Sequence, residues 1–402
     1  MKWAGLWGLL PKWISTISPA VGACLRAILW IRAPRNRLTL GRLGSLSSSN
    51  GQAGSYICEA ACFRIGQQAL SIALAAFAVA AFGAGPLELA WPTPNPAWSQ
   101  GRPLGEFLQH AGSGDAESGG FGGVRSNGTQ FHEGIDLKPI ARDRRGEPTD
   151  GVMAAMNGVV RHINAVAGDS SYGRYVVLEH PDETPAVYTL YAHLARIAPG
   201  VRAGARVTRG QVLGTMGHSS GGYMIPKDRA HLHFEIGVMM TRDFQAWYDR
   251  QKFGSRNDHG MWNGMNLMGV DPLAFFNAWR EHRVATMQDF FSRQETAVRI
   301  RIATRRTPDF VTRYPALLTK PPPMGLESGW ETRFHWTGIP FAWTPLTATE
   351  AIGLPLEQPD IVEVNAAVVR RERSKSLAVA RRGGWTAGKD LETVLEQLFG
   401  LR

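Results

Sequence analysis

Cysteine is scarce in this chain of 402 residues and is confined to its first part. The three cysteines are Cys24, Cys58 and Cys62, and none follows them. The long remainder of the chain therefore needs no disulfide bonds and carries no thiol to misoxidise outside the cytoplasm. Cys58 and Cys62 are four residues apart without companion ligands nearby, so we interpret them as ordinary residues rather than a metal site.

Acidic residues are nearly absent from residues 1–64, which carry eight Lys and Arg and a single acid, Glu59. Most of the formal net charge of +10 therefore lies in this segment, and the rest of the chain is close to neutral. A large positive charge can indicate a nucleic-acid partner, but this uneven distribution argues against one. Residues 1–64 are either a genuine basic, cytoplasmic N-terminal extension or lie upstream of the true translation start, and we favour the second interpretation.

Lysine and arginine are absent from residues 65–90, which contain an unbroken run of small apolar residues from Ala69 to Phe82. A basic segment followed by an apolar run and then Gly, Ala and Pro is the layout of an export signal or a membrane anchor. The alternative interpretation is a buried core helix. We expect the rest of the chain to act outside the cytoplasm, in the periplasm or cell envelope, with anchorage to the inner membrane as one form of this location.

Three short motifs concentrate histidine and carboxylate side chains, the ligand types of a catalytic zinc site. They are Phe131-His132-Glu133-Gly134-Ile135-Asp136, Tyr191-Ala192-His193-Leu194 and His231-Leu232-His233-Phe234-Glu235. His231 and His233 are two residues apart in a segment with strand character, so both imidazoles point to one face. A catalytic zinc keeps three protein ligands and an open position for water, so not every candidate is a ligand.

The first motif has an alternative interpretation as a variant of the helical H-E-x-x-H motif, in which Glu133 would be the general base. That motif requires a helix to bring its first and last residues together. Gly134 and the following Asp136-Leu137-Lys138-Pro139 disfavour a helix and favour a turn that runs into a strand.

With these motifs in place, the segment from about residue 121 to residue 238 resembles the lysostaphin/LytM-type zinc metallopeptidases, which cut peptidoglycan. Their H-x-G-x-D, Y-x-H-L and H-L-H-F-E patterns are all present. The resemblance implies Zn2+ as cofactor, with ligands His132, Asp136 and His233. It implies acid–base and transition-state roles for His193 and His231, and the sequence does not decide which of the two is the general base.

The sequence departs from the family pattern in two places. A charged insertion from Arg142 to Asp150 follows the first motif, and eight residues, Tyr223 to Ala230, separate Gly222 from His231. Both departures can reshape the substrate groove without changing the ligands.

The fold class that we predict is mainly β, with an antiparallel β core of the LytM/lysostaphin peptidase type, an N-terminal apolar segment and a separate α+β C-terminal region. Short valine-rich segments with turn signals between them indicate antiparallel strands. Proline, glycine and serine in residues 91–118 predict a linker. The predicted peptidase domain covers residues 119–283, and residues 284–402 carry no motif that assigns a role.

The function expected from these observations is zinc-dependent hydrolysis of peptide cross-links in peptidoglycan, with the peptide stems as partner. One alternative is a catalytically silent LytM-type domain that binds cell wall and activates a separate amidase. A membrane-anchored scaffold is another. The sequence leaves open which cross-link is cut and the oligomeric state.

Overall fold

Antiparallel strands dominate the part of the chain that the computed structural model describes, residues 87–323 and 327–401. This confirms the predicted mainly β fold class. The strands before the C-terminal region are β1 (Gly122–Arg125), β2 (Gln130–His132), β3 (Ile135–Leu137), β4 (Gly151–Met153), β5 (Gly158–Asn164), β6 (Tyr175–His180), β7 (Val187–Ala192), β8 (Arg196–Ile197), β9 (Arg206–Val207), β10 (Val212–Thr215), β11 (Leu232–Met239) and β12 (Leu267–Val270).

The main sheet has seven strands in the order β12-β11-β7-β6-β5-β9, with β3 paired to β11 beside β12. All eight residues of β11 are buried, because both faces of this strand are covered. A second sheet, in the order β4-β10-β8, adds three strands. The first and last sequence motifs are neighbours in this fold because β3 and β11 pair antiparallel, with Asp136 opposite His233.

Residues 91–118, which the sequence predicts to be a linker, instead pack against the core. Trp91 and Trp98 stack with ring centroids 4.5 Å apart, and the edge of Phe276 meets both rings. Leu108 is buried and bridges to Leu137 of β3. Burial of the large aromatic side chains stabilises the packed segment. This stabilisation exceeds the conformational entropy that a flexible linker would retain.

The C-terminal region is α+β and forms a four-stranded antiparallel sheet in the order β15-β14-β13-β16, followed by the hairpin β17–β18. Its strands are β13 (Val298–Ala303), β14 (Gly329–Phe334), β15 (Pro340–Leu346), β16 (Pro359–Val364), β17 (Ala378–Arg381) and β18 (Gly384–Ala387). The α-helices within residues 87–323 and 327–401 are α1 (Phe244–Gln251), α2 (Pro272–Arg280), α3 (Met287–Ser292), α4 (Asp309–Arg313), α5 (Ala366–Arg371) and α6 (Lys389–Phe399).

One hydrophobic core runs from the main sheet into the C-terminal region and contains Phe234, Phe276, Trp330 and Phe399. Polar contacts reinforce this junction. Arg313 donates to the carbonyl oxygens of Met239 and Met240 at 2.9 and 3.0 Å, so the end of β11 is tied to the C-terminal region.

The apolar run of residues 69–82 lies outside the described residues, as does all of residues 1–64. Leu87 and Leu89, at the end of the predicted signal or anchor segment, are buried in the core. Among the described residues, no helix has both the length and the apolar character needed to cross a membrane.

Candidate metal centre

Three buried side chains from three strands converge on one point between β2, β3 and β11. His132 Nε2 and His233 Nδ1 are 3.0 Å apart, and each lies 3.1 Å from Asp136 Oδ1. A tetrahedral zinc ion with bonds of about 2.0 Å places its ligand atoms about 3.3 Å apart. The structure therefore brings together the three residues predicted to bind zinc. Their role as ligands remains a prediction.

His132 and His233 each have an outer ring nitrogen, which points away from the three converging atoms, and each outer nitrogen contacts a hydrogen-bond acceptor. His132 Nδ1 contacts the carbonyl oxygen of Gly120 at 2.6 Å, and His233 Nε2 contacts Glu235 Oε1 at 2.9 Å. Because both partners only accept, the outer nitrogens carry the protons and the inner nitrogens present lone pairs. Two lone pairs and a carboxylate oxygen at such short separations repel one another unless a proton or a cation lies among them. The donor set fits a divalent zinc ion.

The charges around the centre also favour a cation. Burial raises the pKa of the Asp136 carboxyl, but electrostatic interaction with His132 and His231 and hydrogen bonding with His132 and His233 lower it well below its usual range. Burial lowers the pKa of His233, but hydrogen bonds to Asp136 and Glu235 outweigh it and raise the pKa to about 10. The proton on His233 therefore places a positive charge among these side chains. A metal ion that displaces this proton would supply the positive charge instead.

A buried carboxylate and two tyrosines support His233 from behind. Glu235 accepts hydrogen bonds from the hydroxyl groups of Tyr172 at 2.6 Å and Tyr188 at 2.8 Å. Burial is the first cause of the raised pKa of both tyrosines, so each hydroxyl stays protonated as a donor. The Glu235 carboxylate thereby fixes the ring of His233, as an outer partner does in a metal site.

Arg125 holds the second oxygen of the central carboxylate. Its guanidinium Nη2 donates to Asp136 Oδ2 at 2.5 Å, and its Nε donates to the carbonyl oxygen of Ser118 at 3.0 Å. This leaves Oδ1 alone facing the two imidazoles. The sequence motif Phe121-Gly122-x-x-Arg125 precedes the ligands, but only the structure shows that its arginine touches one of them.

His193 and His231 lie beside the three converging residues, with their ring centroids 4.8 Å apart. Each Nδ1 bonds a backbone carbonyl oxygen, that of Ser219 at 2.8 Å for His193 and that of Arg229 at 2.7 Å for His231. Each Nε2 is therefore the atom with a free lone pair. Burial lowers the pKa of both imidazoles, so both are neutral near pH 7.

The backbone around these two histidines is specialised. His193 has a φ of +60°, a left-handed conformation that is unfavourable for a residue with a side chain and that is found at functional sites. The amide of His231 donates to the carbonyl oxygen of Gly217 at 3.1 Å. A Cβ on Gly217 would collide with the backbone of Ala195, so only glycine permits this approach.

The two departures from the family pattern contact each other and form one wall of the cleft. Arg142 donates to the carbonyl oxygens of Lys227 at 2.7 Å and Asp228 at 3.3 Å. Glu147 pairs with Lys227 Nζ at 2.7 Å and with His218 Nε2 at 3.0 Å. The cavity beside the metal centre has a volume of about 330 Å³, and the wall lines it with Tyr223, Met224 and Ile225.

Sequence reasoning missed several residues of the site because each has no motif spacing. His110 and Tyr172 both line the cavity. His218 contributes to the cleft wall through its contact with Glu147. His259 packs against His162 and hydrogen-bonds to the carbonyl oxygen of Asp169 at 3.1 Å.

Comparison with known proteins identifies the segment that carries the site. Residues 130–243 match the family described as Peptidase family M23, which confirms the resemblance to the lysostaphin/LytM type. Among curated proteins, no significant match is found.

Solved structures with local similarity include a mutant catalytic domain of the prophage-encoded M23 protein EnpA from Enterococcus faecalis. The two sequences are 25% identical, the alignment covers 33% of this chain and 87% of that chain, and the TM-score is 0.24. The catalytic domain of the antimicrobial peptidase lysostaphin from Staphylococcus simulans has 19% identity, covers 38% and 82%, and has a TM-score of 0.24. Csd3 from Helicobacter pylori has 17% identity, covers 47% and 34%, and has a TM-score of 0.25.

Proposed function

Since residues 130–243 match peptidase family M23, we propose that this chain is a zinc-dependent endopeptidase that hydrolyses peptide cross-links of peptidoglycan. The observation that carries the proposal is the complete set of side chains, three converging ligand atoms and two neutral imidazoles in one open cavity. A catalytically silent domain that only activates an amidase has no need for the full set. We therefore rank that alternative second.

His132 Nε2, Asp136 Oδ1 and His233 Nδ1 would hold the zinc ion. When bound, zinc supplies Lewis acidity, which polarises a carbonyl group and lowers the pKa of a bound water. His231 Nε2 accepts the proton of the attacking water and returns it to the leaving amine. His193 is assigned to stabilise the developing oxyanion, because its Nε2 can take up a proton from solvent as negative charge develops beside it. The two roles are interchangeable on the present geometry, because both rings have the same tautomer.

The substrate follows from the reaction that these groups serve. Two imidazoles beside a metal ion suit amide hydrolysis, and the sequence motifs bring no pair of carboxylates of the kind that glycosidases use. These groups therefore favour an amide over the glycan, and the match to peptidase family M23 favours a peptide cross-link over the amide that joins sugar to peptide. Such a substrate also requires export, which the basic segment and the apolar run of the sequence support.

The experiment is digestion of purified sacculi by the zinc-loaded full-length chain, followed by mass analysis of the fragments. Cross-linked dimers should convert to monomers with intact glycan and intact sugar–peptide junctions. Release of free peptides from the glycan would instead identify an amidase. No digestion, despite one bound zinc per chain, would favour the silent domain.

Metal analysis of alanine variants tests the ligand assignment separately. Changing any of the three proposed ligands should remove most of the zinc, whereas changing either flanking histidine should retain zinc and abolish digestion. His218→Ala is the matched control, because this histidine contacts the cleft wall and not the ligand cluster, and it should retain zinc. Retention of zinc after loss of the central carboxylate would contradict the assignment. The variants are His132→Ala, Asp136→Ala, His233→Ala, His193→Ala and His231→Ala.

A further inference from the structure

A second cavity, of about 400 Å³, lies between the first motif and helix α6 of the C-terminal region. Phe131 and Glu133, on either side of the proposed ligand His132, line it from the peptidase side. Lys375 and Lys389 line it from the C-terminal side. Both lysines lie beyond residue 243, where the family match ends, so this side of the cavity lies outside the matched segment.

The second cavity adjoins the catalytic cavity. Glu133 lines both of them. Gly264, which lines the second cavity, packs against Tyr172, which lines the catalytic one, and a Cβ at this glycine would come within 2.7 Å of the tyrosine ring. Glu133 therefore marks the side on which a chain bound at the metal centre lies nearest to the second cavity. We call the second cavity the distal groove.

The distal groove combines an apolar floor with a cationic end. Phe131 and Met268 supply apolar surface, and Met265 is 52% exposed at the edge. Lys375 Nζ lies 4.3 Å above the ring centre of Phe131 and 3.7 Å from Asp390 Oδ1, which is a long ion pair. Asp390 also accepts from the backbone amide of Ser376 at 2.6 Å, and this end of the groove then has two lysines for one carboxylate. Lys389 is exposed at the first turn of α6 and has no ion pair among the described residues.

We propose that the distal groove binds the peptide arm of the substrate beyond the scissile bond, with a carboxylate of that arm at Lys375 and Lys389. The inference rests on the proposed function, because it takes the catalytic cavity as the place where the arm begins. The apolar floor holds the aliphatic part of the arm, and the two ammonium groups select an acidic end. Glu133 stands between the two cavities and repels an acidic group from the junction, which sets the direction of the arm. The C-terminal region thus contributes to substrate selection.

The test measures binding separately from turnover. The full-length, zinc-loaded chain with His193→Ala is titrated by calorimetry with the cross-linked peptide dimer isolated from bacterial sacculi. Adding Lys375→Ala and Lys389→Ala should raise the Kd by about tenfold, because two partly exposed charge contacts are lost. The pair Lys375→Arg and Lys389→Arg should restore binding. Lys320→Ala is the matched control, since this lysine pairs with Glu350 and lines neither cavity, and its Kd should not change.

A chemically altered ligand completes the test. When the arm carboxylate is amidated, the parent and the double variant should bind with the same, weaker affinity. Lys389→Ala alone keeps the contact of Lys375 with Phe131, so it provides a folded variant should the double variant unfold, and it should raise the Kd by about threefold.

The outcomes separate the two proposals. Equal affinity of the parent and the lysine variants for the acidic dimer would overturn the distal groove, whether or not the wild-type chain digests sacculi. Lysine-dependent binding without digestion by the wild-type chain would support the distal groove and reject the endopeptidase. Absence of any binding by the parent would reject the distal groove.

Discussion

Glu235 should control how tightly the centre holds zinc, although it is not itself a proposed ligand. Its carboxylate is buried and accepts three hydrogen bonds, from His233, Tyr172 and Tyr188. Glu235→Gln keeps the volume but removes the charge that holds the Nε2 proton of His233. Loss of such an outer carboxylate weakens metal binding about 10- to 100-fold, or about 1.4 to 2.7 kcal/mol. Tyr188→Phe removes one supporting hydroxyl and should give a smaller loss in the same direction.

The assay is competition for zinc between the full-length chain and a chromophoric chelator, with circular dichroism to establish folding. Glu179→Gln is the matched control for the carboxylate, because Glu179 pairs with Arg161 on the same sheet. Tyr191→Phe is the control for the tyrosine, because its hydroxyl accepts from the amide of Ala155 and does not reach Glu235. If folded Glu235→Gln holds zinc as tightly as the wild-type chain, the outer carboxylate does not tune the centre and the reasoning fails.

Three further predictions concern location, pH and the cleft wall. A reporter enzyme that is active only after export, fused after residue 100, should be active, and a cytoplasmic result would reject both the location and the substrate. Burial lowers the pKa of His180 to about 4, so its stabilisation is complete above pH 6.5 and is lost as the pH falls towards 4. The free energy of unfolding, measured by urea titration, should therefore decrease between pH 7 and pH 4.5 in the wild-type chain. In His180→Gln this decrease should be smaller by about 2–3 kcal/mol. Equal decreases in the two proteins would contradict the prediction. Arg142→Ala should remove the hydrogen bonds that hold the carbonyl groups of Lys227 and Asp228 in the cleft wall. Trypsin should therefore cut after Lys227 faster in this variant than in the wild-type chain or in the control Arg161→Ala. Equal rates would show that Arg142 does not hold the wall.

Two features of the centre follow from the sequence because their geometry is local. His231 and His233 alternate with apolar residues, so the strand period alone places both on one face, as the structure has them. Gly134 correctly excludes a helix, and the structure adds the reason that a Cβ there would collide with the carbonyl oxygen of Phe234.

Features that depend on distant contacts were not predictable in the same way. Tyr172 reaches Glu235 across 63 positions of sequence, and no spacing rule connects them. The packing of Trp91 on Trp98 depends on Phe276, which lies in a helix far along the chain. Proline content suggested a linker there, but the aromatic residues decide the outcome because they bury more surface.

The contacts between the end of β11 and the C-terminal region limit where this protein can be truncated or fused to another domain. The family match ends at residue 243, yet Met239 and Met240 depend on Arg313 for partners of their carbonyl oxygens, and the amide of Met239 donates to the hydroxyl of Tyr314 at 3.1 Å. A gene fragment that stops at residue 243 leaves those groups unmatched on the strand that carries His233. Each costs about 1–3 kcal/mol, a large part of the 5–15 kcal/mol that ordinarily stabilises a domain. Chimeric proteins made from this chain therefore have to inherit the C-terminal sheet together with the centre.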